Sequence, residues 1–121
     1  IPVNRSQLDL ATFRRALRVL RDGHPLLVFP EGTRSEDGRL GEGKKGVGML
    51  VAKSQVPVLP ARVIGSYEIL RKGKFFPRIG RKLRVCYGRL MPVSELDPGG
   101  KGGDRYEQIS QSIMDAIREI K

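Results

Sequence analysis

Residues 29–35 read Phe29-Pro30-Glu31-Gly32-Thr33-Arg34-Ser35. They follow the apolar run Leu26-Leu27-Val28-Phe29, whose length and content predict a short buried strand. Pro30 and Gly32 then end regular structure and open a polar loop. A carboxylate, two hydroxyls and a guanidinium are thus presented at the C-terminal edge of a strand, where open α/β sheets place their ligands. Arg34 suits a phosphate because its planar fork makes two parallel hydrogen bonds to phosphate oxygens. Thr33, Ser35 and the free loop amides add neutral donors. A bland reading, in which Glu31 and Arg34 simply pair across a turn, accounts for fewer of these features.

The heptapeptide F-P-E-G-T-R-S resembles the third sequence block of the glycerophospholipid acyltransferases, the family of 1-acylglycerol-3-phosphate acyltransferase. Working back from it, Ile1-Pro2-Val3-Asn4-Arg5 is similar to the end of that family's second block, a hydrophobic strand closing in an arginine. The resemblance implies that Arg5 helps hold the acceptor phosphate. Taken on the residues alone, Arg5 is a surface arginine ahead of a helix. Ser6 and Asp9 have capping-box-like spacing for that helix. Phe13, Ala16, Leu17 and Leu20 recur at helical spacing, Arg14, Arg15, Arg18 and Arg21 take the other faces, and Gly23 is a fitting stop.

His24 is the lone histidine. It sits in a turn, Asp22-Gly23-His24-Pro25, with Val28 and not an aspartate four residues on. It therefore does not match the His-x4-Asp block in which the family keeps its catalytic base. The resemblance implies a base and orienting aspartate upstream of this chain, which on that reading is the C-terminal portion of a longer enzyme and inactive by itself.

Downstream, Gly41, Gly43 and Gly46 satisfy G-x-G-x-x-G, and the stretch from Gly38 to Lys45 approaches the P-loop pattern. Both patterns belong directly after a strand, and Lys45 stands where a P-loop needs a hydroxyl for magnesium. The family's Phe-Lys-x-Gly opening of a helix fits better: Gly43-Lys44-Lys45-Gly46 keeps the lysine and glycine and lacks the phenylalanine. Lys44 then adds charge near the acceptor phosphate, against the alternative of a solvated lysine.

Val47, Met49, Leu50, Val51 and Ala52 predict a buried helix. Val56-Pro57-Val58-Leu59-Pro60-Ala61-Arg62-Val63 predicts an interrupted strand, its prolines suited to an edge, a bulge or a strand end. This run resembles the family's fourth block, implying that Pro60 helps shape an apolar slot beside the acyl donor. A plain sheet strand explains the same residues. The segment 71–84 interleaves Arg71, Lys72, Lys74, Arg78, Arg81, Lys82 and Arg84 with Phe75, Phe76 and Ile79. Such a mixture suits an anionic lipid interface, a nucleic-acid strand or a solvated loop whose phenylalanines are core. A strand is expected over 82–90. The glycines at 99, 100, 102 and 103 form a flexible linker. Asp104 then caps a final helix striped by Tyr106, Ile109, Ile113, Ile117 and Ile120.

At 121 residues the chain holds one domain at most. Its net charge of +10 calls for an anionic partner: phospholipid, nucleic acid or a phosphorylated small molecule. No apolar run approaches the roughly 20 residues of a membrane span. Cys86 cannot form an internal disulfide, and one histidine with one distant cysteine offers no metal site. The order of elements predicts an α/β fold, a layered mixed sheet flanked by helices. The resemblance implies the glycerophosphate-acyltransferase-like fold, a partial acyltransferase domain over residues 1–121, and acyl transfer to 1-acylglycerol-3-phosphate in phospholipid biosynthesis. It also implies acyl-CoA or acyl carrier protein as co-substrate, no bound cofactor, and membrane association on the cytoplasmic face. Two rivals are a basic nucleic-acid-binding module, for which no helix-turn-helix, zinc or RNP pattern is present, and a P-loop nucleotide binder.

Overall fold

In the computed structural model the described residues are 10–70 and 73–121, and they form an α/β domain of five helices and a two-stranded sheet. The order is α1 (Leu10–Arg21), α2 (Lys45–Ser54), β1 (Ala61–Ile64), α3 (Ser66–Ile69), β2 (Arg84–Tyr87), α4 (Val93–Leu96) and α5 (Gly103–Glu119). Arg5, Ser6 and Asp9 lie outside the described residues, as do Arg71 and Lys72.

The long helices follow the predicted stripes. Helix α1 turns Arg14, Arg15, Arg18 and Arg21 to solvent and packs its half-buried apolar side against α2. It stops at Gly23, whose φ of +81° lets the chain reverse. The Gly23 N–H then reaches the Leu20 carbonyl, and the His24 N–H the Val19 carbonyl. Helix α5 buries Ile109, Ile113, Met114 and Ile117 against α2 and α4, where Val51, Val93 and Leu96 complete the core. Each such aliphatic side chain contributes about 1.5–3 kcal/mol by leaving water. Two details differ from the sequence reading. Gly102 occupies the N-cap of α5, with Asp104 in the first turn, so the carboxylate acts on the helix dipole and does not cap. The start of the glycine-rich segment is ordered by Asp97, which accepts the Gly99 N–H at 2.9 Å and a two-pronged bond from Arg105.

That pairing sets an acid limit. The Arg105 guanidinium first, and the Gly99 N–H second, hold the Asp97 carboxyl down at about 2 against an ordinary value of 3.8. The folded chain therefore releases the Asp97 proton more readily than the unfolded one. The resulting stabilisation is complete above about pH 4 and is lost as pH falls through about 2. The advantage of the natural protein over Asp97→Asn, measured by urea unfolding, is expected to be constant above that window and to vanish towards its floor. A constant difference down to pH 2 would remove Asp97 from the account.

Strands β1 and β2 pair antiparallel with Ala61 opposite Tyr87 and Ile64 opposite Arg84. The pairing resumes at a bridge between Val58 and Met91. Pro60, which has no N–H, falls between the two stretches, and its carbonyl accepts the Gly88 N–H at 2.9 Å. Arg62 ties this ribbon to α5 by donating to the Ile120 carbonyl at 2.8 Å, a cation at a helix C-terminus. The expected strand at 26–29 is not one. Among the described residues none pairs with it, and Leu27 and Phe29 stand 80% and 68% exposed. The phenylalanines at 75 and 76 are likewise not core but exposed.

Candidate functional site: the Glu31–Arg34 turn and Lys44

Phe29 to Gly32 form a β-turn in which the Gly32 N–H reaches the Phe29 carbonyl at 3.0 Å. Proline after the first position and glycine at the last suit such a turn. Gly32 has φ +68°, and a side chain there would also meet Lys44 Cγ at 3.4 Å. Glycine is thus favoured by the left-handed backbone, while a Cβ would only touch the lysine that runs across it.

The loop leaving this turn comes back to its start. The Lys44 N–H donates to the Pro30 carbonyl at 2.8 Å, and the Gly41 N–H donates to Glu31 Oε2 at 2.7 Å. Helix α5 clamps the far side. Ser110, 1% exposed, donates to the Lys44 carbonyl at 3.1 Å, and Arg118 donates to the Gly41 carbonyl at 3.1 Å. Gly43 sits against Ser110 and Met114 so closely that a methyl group would overlap the Ser110 hydroxyl. Lys44, extended at φ −79° and ψ 138°, is the N-cap residue of α2. The glycines that imitate a nucleotide motif have other work: Gly41 offers an N–H to Glu31 and Gly43 lets the loop lie on α5.

Within this frame the expected site residues part into two groups. Glu31, Gly32 and Lys44 are brought together, with Arg34 two residues further on. Arg34 is exposed, and its guanidinium makes no hydrogen bond or ion pair with a described residue. Thr33 is exposed beside it, with only a long 3.5 Å contact to the Arg34 carbonyl. Ser35 shapes the loop instead: its hydroxyl donates to Asp37 Oδ1 at 3.1 Å and accepts the Gly38 N–H at 2.8 Å. The Arg39 N–H beside Asp37 holds that carboxyl below its ordinary value. Glu31 likewise serves the loop through Gly41. Pro60 belongs to the sheet and lies against Gly88. His24 is exposed in its turn.

Sequence reasoning missed Ser110. Its signal was a serine followed four residues on by Met114 in a helix whose buried side is otherwise aliphatic. Among the described residues no group of three His, Cys, Asp or Glu could hold a metal, and no helix is long and apolar enough to cross a membrane.

A loop that carries F-P-E-G-T-R-S after an extended apolar run, on an α/β domain, is what the acyltransferase resemblance requires. The chain belongs to the acyltransferase family, whose family model matches residues 1–64. It is similar to the chloroplastic 1-acyl-sn-glycerol-3-phosphate acyltransferase BAT2 of Brassica napus, 44% identical over 69 residues, taking in 57% of this chain and 20% of that protein. It is also similar to the 1-acyl-sn-glycerol-3-phosphate acyltransferase of Limnanthes douglasii, 40% identical over 89 residues, taking in 73% of this chain and 31% of the relative. Among solved structures it resembles PlsC of Thermotoga maritima, the 1-acyl-sn-glycerophosphate acyltransferase. That match has a TM-score of 0.66 and 29% identity and takes in 88% of this chain and 43% of the other. The chain thus spans less than half the length of each of these three proteins.

Proposed function

We propose that this chain is the acceptor-phosphate part of an enzyme that acylates 1-acylglycerol-3-phosphate in phospholipid biosynthesis. The observation that supports the reading is the Phe29–Gly32 turn with Lys44 lying across it and exposed Arg34 two residues further on, its guanidinium free of described partners. Arg34 supplies the planar fork for the phosphate and Lys44 a second charge. The family resemblance adds Arg5, outside the described residues, as a further phosphate contact. Thr33 offers a neutral donor, Gly32 allows the close approach, and Glu31 and Ser35 fix the loop. Pro60 borders the acyl donor. Holding the phosphate fixes the glycerol hydroxyl in place and lowers the entropic cost of attack.

In the reaction the free hydroxyl adds to the thioester carbonyl of acyl-CoA or acyl carrier protein. Its proton passes to a histidine held by an aspartate. The thiolate then leaves and takes up that proton, giving an ester and a free thiol. His24 lacks the aspartate for this role, so the histidine–aspartate pair comes from outside these 121 residues. The site needs neither metal nor bound cofactor. The place of work on this reading is an anionic membrane, at its cytoplasmic face; the +10 charge suits such a surface, and it is the acyltransferase family rather than the charge that sets it apart from nucleic acid.

The test compares acceptors. The longer enzyme that carries this chain is expected to acylate 1-acylglycerol-3-phosphate and to neglect the same lipid without its phosphate, while the purified 121-residue chain transfers to neither. Equal use of the two acceptors would overturn the phosphate site. Turnover by the short chain would overturn the external base.

A further inference from the structure

Residues 73–83, ahead of β2, form an irregular loop, held at its base where the Arg78 N–H meets the Ile69 carbonyl at 2.8 Å. Its apolar side chains do not turn inward. Phe75 is 92% exposed, Phe76 88% and Ile79 99%. Single exposed apolar residues are ordinary, but three within five positions leave a patch that water solvates poorly.

Around them stand Lys74, Arg78, Arg81, Lys82 and Arg84, all exposed. No acid occurs between Glu68 and Glu95 in sequence, and none of the five bases forms an ion pair with a described residue. Glu68 does line the shallow depression beside Phe75 and Phe76, so one carboxylate faces the patch. The excess of cations is nonetheless large. A partner that fits must offer an apolar interior and an anionic surface within a few ångströms of each other.

A bilayer interface has that profile: acyl chains receive the phenylalanine and isoleucine side chains while lipid phosphates meet the bases. A single-stranded nucleic acid would be held by stacking on aromatic faces. Here the most exposed of the three side chains is Ile79, which has no such face.

We propose that residues 73–84 are a membrane-docking loop that sinks Phe75, Phe76 and Ile79 into the headgroup–acyl boundary of an anionic bilayer. Its five bases lie in the phosphate layer. The loop rests on the acyltransferase reading only for its purpose, delivery of the acceptor site to a surface that holds lysolipid. Its docking is measured without turnover.

The chain contains no tryptophan, so Phe76→Trp introduces a unique reporter. With vesicles of phosphatidylcholine and phosphatidylglycerol at about 70:30, the indole emission is expected to shift blue and to be quenched by lipid brominated near the top of the acyl chain. Apparent partitioning is expected to fall at least about tenfold in vesicles of phosphatidylcholine alone, and by a similar factor in high salt. Adding Phe75→Ser and Ile79→Ser to the reporter chain is expected to cost about tenfold or more, with circular dichroism unchanged. Gln111→Trp, at an exposed polar position on α5, is the unquenched control. Vesicle binding with the Phe76→Trp reporter unquenched would overturn the proposal, because another surface would then be docking. A response to poly(U) RNA and none to vesicles would overturn it in favour of nucleic acid. Quenching by a protein whose longer form transfers no acyl group would keep the loop and reject the proposed function.

Discussion

Arg34→Ala, made in the longer enzyme proposed to carry this chain, is expected to lower kcat/KM for 1-acylglycerol-3-phosphate by about 100-fold while leaving thermal unfolding where it was. A hydrogen bond to a charged group is worth about 1.5–3 kcal/mol, and the arginine fork makes two, part of which Lys44 and neutral donors replace. About 2.7 kcal/mol of lost stabilisation corresponds to that factor. Stability is spared because the side chain is exposed and bonded to no described residue. The decisive comparison is with an acceptor lacking phosphate, on which the variant and the natural enzyme are expected to be equally poor. Arg34→Lys is expected to recover part of the loss, as it keeps the charge and loses the fork. Equal damage on both acceptors would mean that Arg34 holds the loop and not the phosphate.

The largest effect on stability is expected at Gly48. This buried glycine of α2 faces α5 with no room for a side chain: a methyl group would run into the backbone carbonyl of Tyr106. Neither partner is a flexible side chain, so the two helices must part, and parting opens the contact that buries Val51, Ile109 and Ile113. Overpacking costs typically 1–3 kcal/mol and sometimes more, and alanine returns about 1 kcal/mol in helix propensity. A net loss of about 2 kcal/mol is expected for Gly48→Ala, the upper end of that cost less the propensity gain, against the roughly 5–15 kcal/mol that holds a domain together. Urea unfolding reads it directly. Lys53→Ala, an exposed change in the same helix, is expected to shift the midpoint little. An unchanged midpoint in Gly48→Ala would show that α2 and α5 can slide apart at no cost.

The helices were legible because their stripes repeat: Phe13, Ala16, Leu17 and Leu20 in α1, and the isoleucines of α5. The broken strand around Pro57 and Pro60 was legible because proline has no donor to give, and pairing does lapse there. The run Leu26 to Phe29 was read as a buried strand, but it is exposed and has no partner among the described residues: composition marks an extended apolar segment and says nothing of a neighbour. The short helices α3 and α4 carry a single turn each, too little for periodicity to register. At the site, the heptapeptide pointed to Arg34 and its chemistry. It could not disclose that Ser35 is spent on Asp37 and Gly38, or that Glu31 serves Gly41, since those bonds depend on how the loop closes. Ser110 was hidden most deeply, because its partner Lys44 lies 66 residues away.

That separation decides when the cradle comes into being. Local turns such as the one at Gly32 close in well under a microsecond, whereas contacts between distant segments wait for the chain's overall collapse. The carbonyls of Gly41 and Lys44 find their partners on α5, so the loop proposed to hold the phosphate is finished only when that helix docks. A nascent chain emerging in order would carry F-P-E-G-T-R-S long before it could present it. The same dependence holds at equilibrium: any opening that lifts α5 from α2 also releases the loop, so the cradle and the core melt as one cooperative unit.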